Sequence, residues 1–237
     1  MASTPPALSK PIDLAPRPFP ERVPHEGRSA VLEPLSVEHS IELWAAADAA
    51  DASWRYLRYG PFSSQEAMTE TIEELAGRTN QLFWAVRPHA SGKAQGWLSL
   101  CDIYPEDAAI EIGSIWYSPG LQRTRAATEA VFLLMQHAFD ELGYRRVVWR
   151  CLAQNAASCR AAARFGFTAE GTWRDAVIIK GQQHDVAWFS MLANEWSSQR
   201  TLIGRWLNDE NFDSSGTALT GLSAMRQRGI GTDAKRQ

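Results

Sequence analysis

The sequence is short of cysteine, of long apolar runs and of surplus positive charge, and each shortage removes a class of protein. Three cysteines among 237 residues, Cys101, Cys151 and Cys159, form an odd set. With no CxxC or Cys/His ligand spacing they make no disulfide framework and no evident metal site, so no metal is expected. Each sits in an apolar stretch, as a small buried thiol does in a reducing compartment. No window approaches the roughly 20 apolar residues that span a bilayer. The first residues carry no basic segment followed by an apolar run. The expectation is no membrane association and a cytoplasmic location. A formal net charge of −3, with no basic patch, argues against nucleic acid as the main partner. What remains is a small-molecule or protein partner.

What is present is enough apolar residue, 45% of the chain, for one well-filled core. Residues 1–26 are crowded with proline and read as an extended or disordered segment. Residues 27–206 read as the folded domain, and 207–237, rich in Gly, Ser, Asp and Arg, as a flexible tail. Within the domain Ala30–Leu35 reads as a strand, Val37–Tyr59 as helical, and Ser64–Gly77 as a helix. Leu82–Arg87 and Gly96–Ile103 read as a hairpin about a turn at His89–Lys93, followed by a strand over Ala109–Tyr117. Apolar residues at helical spacing from Ala127 to Leu142 predict a long helix stopped by Gly143. A strand at Arg146–Cys151, a helix capped by Asn155 and ending near Gly166, and a final hairpin about Lys180–Gly181 complete the order. This succession predicts an α/β (α+β) fold, a mixed, mostly antiparallel twisted sheet with helices on both faces.

The chemistry concentrates between Glu111 and Phe167. A strand running through Ile115, Trp116 and Tyr117 leads by Ser-Pro-Gly-Leu into Gln122-Arg123-Thr124-Arg125-Ala126-Ala127-Thr128. That is the layout of an anion site, because the first helical turn leaves backbone N–H groups without partners and the helix dipole adds positive charge there. Ala126 and Ala127 allow close approach, and Arg123 and Arg125 add full charges. The plainer reading is an ordinary helix start with solvated arginines.

The same segment resembles the acetyl-CoA motif of the Gcn5-related N-acetyltransferase (GNAT) superfamily, Gln/Arg-x-x-Gly-x-Gly/Ala, with Arg125 in place of the first glycine. Thr128-Glu129-Ala130, the run from Asn155 and Ser158 to Gly166-Phe167, and Lys180-Gly-Gln-Gln-His-Asp185 are similar to its branch of ribosomal-protein N-terminal acetyltransferases (RimJ/RimL-like). The resemblance implies acetyl-CoA as acyl donor, no metal, and direct attack by an acceptor amine in a ternary complex. It places the pantetheine arm and acetyl group along Ile115, Trp116 and Tyr117, with the pyrophosphate at Gln122–Thr128. It assigns Asn155 to the cofactor and Ser158 to the departing thiolate as well.

The glutamate that some branch members carry in the final hairpin is Val177 here. Glu111 is the substitute base: strand alternation turns it away from Ile110 and Ile112, either into a cleft, where burial raises its pKa, or into water. Asp102, Asp175 and His184 are weaker candidates. Trp54, Tyr56, Tyr59 and Phe62 form either the wall of an acceptor pocket or packing between helices. The acceptor is a protein N-terminus or a small amine, and a homodimer is compatible with the two terminal segments. The competing reading, supported by Arg125 and the absent hairpin glutamate, is a non-catalytic acyl-CoA-binding sensor or interaction module.

Overall fold

The computed structural model describes residues 15–47 and 52–233. Eight strands form one sheet in the order β1-β2-β3-β4-β5-β6-β8-β7. They are β1 (His25–Glu26), β2 (Ala30–Pro34), β3 (Leu82–Pro88), β4 (Gly96–Tyr104), β5 (Ala109–Tyr117), β6 (Arg146–Leu152), β7 (Thr168–Ile179) and β8 (Gln182–Leu192). Every neighbouring pair is antiparallel except β5–β6. The mixed, mostly antiparallel sheet expected from the element order is what is found. The last hairpin turns at Lys180 and Gly181, both with positive φ (50° and 73°), the backbone that a two-residue turn matching strand twist requires.

Helices cover both faces. On one side α3 (Arg125–Gln136) and α5 (Ala193–Trp206) bury Val131, Leu134, Met135 and Ile203 against Leu98, Ile110 and Ile112 of the sheet. On the other, α1 (Ser40–Ala46) and α2 (Gln65–Gly77) contribute Leu43, Met68 and Ile72 to a second cluster around Trp54, Trp97 and Trp116. The helical reading of Val37–Tyr59 is corrected in extent: α1 is flanked by 3-10 turns at Val37–His39 and Ala52–Tyr56, and residues 48–51 lie outside the described residues. The long helix ends earlier than its apolar spacing suggested. A π-helical turn at His137–Glu141 replaces its last part.

The two ends differ from the sequence reading. Residues 1–14 lie outside the description, but 15–26 pack on the domain: the Trp84 indole donates to Val23 O at 2.7 Å and the Tyr144 hydroxyl to Pro18 O at 3.2 Å. The expected flexible tail from 207 contains α6 (Leu222–Asp233), with Leu222 only 1% exposed. Arg226 donates to Arg164 O at 3.0 Å. Leu207 and Leu222 belong to the main core; a few well-placed apolar residues anchor a segment whose average composition is polar.

Candidate active site

The site is built on a strand divergence. β5 and β6 pair in parallel over Ala109↔Arg146, Ile110↔Val147 and Glu111↔Val148 only. Beyond that rung β5 continues to Tyr117 beside β4, and β6 to Leu152 beside β8. A wedge opens between them, with Glu111 at its vertex. Parallel pairing leaves main-chain groups facing a partner, so a strand edge released inside a sheet is a place for an amide-bearing ligand.

β5 carries an irregularity that arranges its side chains. Between Gly113 and Trp116 three steps on β5 face two on β4, Ser99 to Trp97. One residue is therefore extra, and alternation shifts. Ile110, Ile112, Ile115 and Tyr117 all pack on the α3 side, whereas Trp116 joins the α1–α2 side. Ser114 takes φ of 50°. Gln81 donates to Ser99 Oγ (2.9 Å) and Ser114 Oγ (2.8 Å), and Ser99 Oγ donates to Gly113 O (2.9 Å). Gly113 matters for a different reason: a Cβ there would stand 2.8 Å from Glu111 Oε1 and 3.0 Å from Cys101 Sγ.

Glu111 is buried, 5% exposed, and ion-paired with Arg150 of β6, which also pairs with Asp102. Asp102 adopts φ of 42° at a second register shift in β4. Burial raises the Glu111 carboxyl to about 7, Arg150 opposing and Asp102 adding to the rise. Of the two readings of this strand, the buried one is realised. Arg150 escaped the sequence reading; its position between Trp149 and Cys151 on an alternating strand was the available signal. Asp175 and His184 lie on the β7–β8 hairpin, where Val177 pairs with His184.

Two helix starts flank the wedge. Thr124 is the N-cap of α3, its Oγ1 accepting from Ala127 N at 3.1 Å, while the amides of Arg125 and Ala126 precede the point where α-helical partners exist. Gln122 and Arg123 are exposed; Gln122 Nε2 donates to Tyr117 O at 2.9 Å, holding the loop to β5. Arg123 has φ of 63°, a left-handed residue in the turn before the helix. On the other side Asn155 caps α4 (Ala156–Phe165), accepting from Ser158 N at 3.1 Å. Ser158 Oγ accepts from the Trp149 indole at 2.9 Å. Cys151 and Cys159, thiols half-buried rather than buried, have sulfurs 3.5 Å apart.

Three expectations are corrected. Arg125 does not face the helix start: its guanidinium donates to Asp209 Oδ1 at 2.6 Å and to Leu207 O, and lies 4.5 Å from the Phe212 ring centroid. Its charge is committed to the segment after α5. The Thr128 hydroxyl is likewise internal, donating to Thr124 O at 3.2 Å and accepting from Arg164 at 2.9 Å. Trp54 is 1% exposed, stacked on Trp116 with centroids 4.4 Å apart, so it fills the core and offers no surface to an acceptor. Its neighbours Tyr56, Tyr59 and Phe62 are half-buried. Tyr59 accepts from the Trp97 indole at 3.0 Å, and Tyr56 donates to Gln154 O at 3.3 Å, next to the α4 cap.

Comparison with known proteins settles the family. The acetyltransferase (GNAT) domain family matches residues 30–168. The chain belongs to the GNAT acetyltransferase family. A GCN5-related N-acetyltransferase structure from Brucella melitensis is 42% identical, with 90% of this chain and 98% of that one covered at a TM-score of 0.87. A structure described as a probable acetyltransferase of the GNAT family, from Chromobacterium violaceum ATCC 12472, is 39% identical over 82% of this chain and all of its own, at a TM-score of 0.75. YdaF of Bacillus subtilis (strain 168), whose name marks it provisionally as a ribosomal N-acetyltransferase, is 28% identical over 72% of this chain and 93% of its own length. This GNAT chain is therefore an acyltransferase, of a family that generally uses acetyl-CoA. Among the described residues no helix is long and apolar enough to cross a membrane.

Proposed function

We propose that this GNAT enzyme acetylates a primary amine by direct attack in a ternary complex, with Glu111 as proton acceptor. The observation that carries the reading is the β5–β6 wedge: a buried carboxylate with a raised pKa stands at its vertex, and the starts of α3 and α4 stand at its two sides. The chain fits acetyl-CoA, whose thioester supplies the transferable acetyl group. The released edge along Ile115–Tyr117 suits the amide-rich arm, and the early α3 amides with Gln122, Arg123 and the small Ala126 and Ala127 suit a pyrophosphate.

Each residue then has a defined task. The wedge fixes the acyl donor's orientation, which turns a bimolecular encounter into a positioned one. Glu111, ionised above about pH 7, takes the proton from the amine directly or through one water. Arg150 holds that carboxylate in place and keeps its second partner, Asp102, nearby. Ser158, at the first turn of α4 with its oxygen already accepting from Trp149, has its own proton to offer a departing thiolate. A protein N-terminus is the acceptor favoured by the name of the YdaF relative, ahead of a small amine.

The test is thiol release measured with acetyl-CoA against peptides bearing free N-termini and against small amines. Amine-dependent release is expected with at least one peptide. Binding of acetyl-CoA without any amine-dependent release would replace the catalytic reading with a binding one.

A further inference from the structure

At the opposite end of α3 from the proposed donor site lies a cluster that acetyl transfer does not use. His25 of β1 and His137, the first residue of the π-helical turn, are 8% and 5% exposed, with ring centroids 4.5 Å apart. Each carries a buried Nε2 that has no hydrogen-bond partner among the described residues. A buried imidazole nitrogen left unpaired is costly, so two of them side by side call for an explanation. Glu141, four residues on, accepts from His137 Nδ1 at 2.6 Å, and its own side chain is 61% exposed. One ligand-capable atom from each of the three residues lies within 4.8 Å of the others.

This is the arrangement in which a carboxylate fixes a metal-binding histidine. With Nδ1–H directed at Glu141, the His137 lone pair sits on Nε2, the nitrogen that is unpartnered. His137 and Glu141 are the first and last residues of the π-helical turn. Leu142 N bonds to His137 O at 3.0 Å, five residues back, and Tyr144 N to Ala138 O at 2.9 Å. Four residues apart, His137 and Glu141 share a face of the helix, which meets β1 through the His137–His25 ring contact, and π-helical turns recur at functional sites.

We propose that His25 Nε2 and His137 Nε2 bind one divalent transition-metal ion of the zinc type, with Glu141 orienting His137 or joining the ion and water completing the coordination. Imidazole with carboxylate and water is a donor set that suits Zn²⁺. The ion would join the edge strand β1 to the C-terminal end of α3, a structural tie remote from the amine chemistry. Spacing along the chain could not suggest it, because His25 and His137 are brought together only by the fold.

The experiment uses the metal-free full-length protein titrated with Zn²⁺ by calorimetry, with Co²⁺ absorption as a report on coordination. One ion per chain is expected, with Kd in the micromolar range or tighter and a rise in Tm on binding. His25→Gln should weaken binding at least tenfold and abolish the Tm rise. Glu141→Gln should weaken it by about 10–100-fold, the usual cost of losing an orienting partner. Amine-dependent thiol release by the parent should be the same with and without Zn²⁺, which separates this inference from the assignment of the transferase site. If His25→Gln does not fold, histidine side-chain ¹⁵N shifts of the parent decide: Zn²⁺ must move Nε2 of both His25 and His137. Binding below one-fifth of an ion per chain would overturn the proposal. So would parental affinity in His25→Gln or shifts confined to His39, His89 and His184; in each case a bridging water is what satisfies the two nitrogens.

Discussion

Glu111, on the last rung that β5 and β6 share, is ion-paired with Arg150, two residues beyond its rung partner Val148, so the strand that supplies the base is held by the strand that leaves it. Glu111→Gln keeps size and polarity but cannot take a proton. We expect kcat/KM to fall by about 10²–10⁴-fold and the acidic limb near pH 7 to disappear. Near-parental activity with the same limb would make Glu111 structural.

The same group affects stability with a defined sign. Its folded pKa, about 7, lies above the ordinary 4.5, so the folded state holds a proton that the unfolded chain releases. The stabilisation is complete below about pH 4.5 and is lost as pH rises through 7. Relative to Glu111→Gln, the parent should therefore lose stability on the order of 2–3 kcal/mol between those limits. Denaturant unfolding of both proteins at pH 4.5, 6 and 8 measures the difference.

Gly113→Ala tests the packing beneath the carboxylate. A Cβ 2.8 Å from Glu111 Oε1 and 3.0 Å from Cys101 Sγ must displace one of them. An expected loss of about tenfold to a hundredfold in kcat follows from misplacing a reacting group, with acetyl-CoA affinity preserved. Unchanged kcat would show that the carboxylate can move without penalty.

Arg125→Gly restores the residue type of the motif, and the structure sets its outcome. The guanidinium is bound to Leu207 O and Asp209, so the variant should lose about 2–4 °C in Tm while its Kd for acetyl-CoA stays within about threefold. A large loss of affinity with unaltered Tm would return the arginine to the phosphate site.

Asn155→Ala removes the cap of α4 and should cost about 1 kcal/mol, read as a lower Tm. Ser158→Ala leaves that cap in place. If the hydroxyl assists the thiolate, kcat should drop most with poor thiol leaving groups; an equal drop for all donors would assign the serine to holding Trp149.

How far the sequence could be read follows from the range of each interaction. Caps, turns and alternation act over a few residues, which is why Asn155, Lys180-Gly181 and the orientation of Glu111 were legible. Arg125 was misread because its partners, Leu207 and Asp209, are far along the chain and fall in a segment whose polar composition suggested no fixed structure. Trp54 shows the same limit: an aromatic-rich segment looks alike whether it walls a pocket or fills a core, and only Trp97 and Trp116 across the sheet decide. The strand divergence had no local sign at all, since it is a relation between β5 and β6 and not a property of either.

The extra residue in β5 works as a half-period phase shift within one strand. Glu111 and Trp116 are five positions apart, an odd interval that regular alternation would assign to opposite sides, yet the shift puts both on the α1–α2 side. A proton acceptor and a core tryptophan are thus gathered on one side by an interval that even-spaced pattern matching discards. Deleting Ser114 would remove the extra residue and shorten the interval to four, an even spacing that regular alternation keeps on one side; the irregularity is what lets a five-residue interval do the work of a four-residue one.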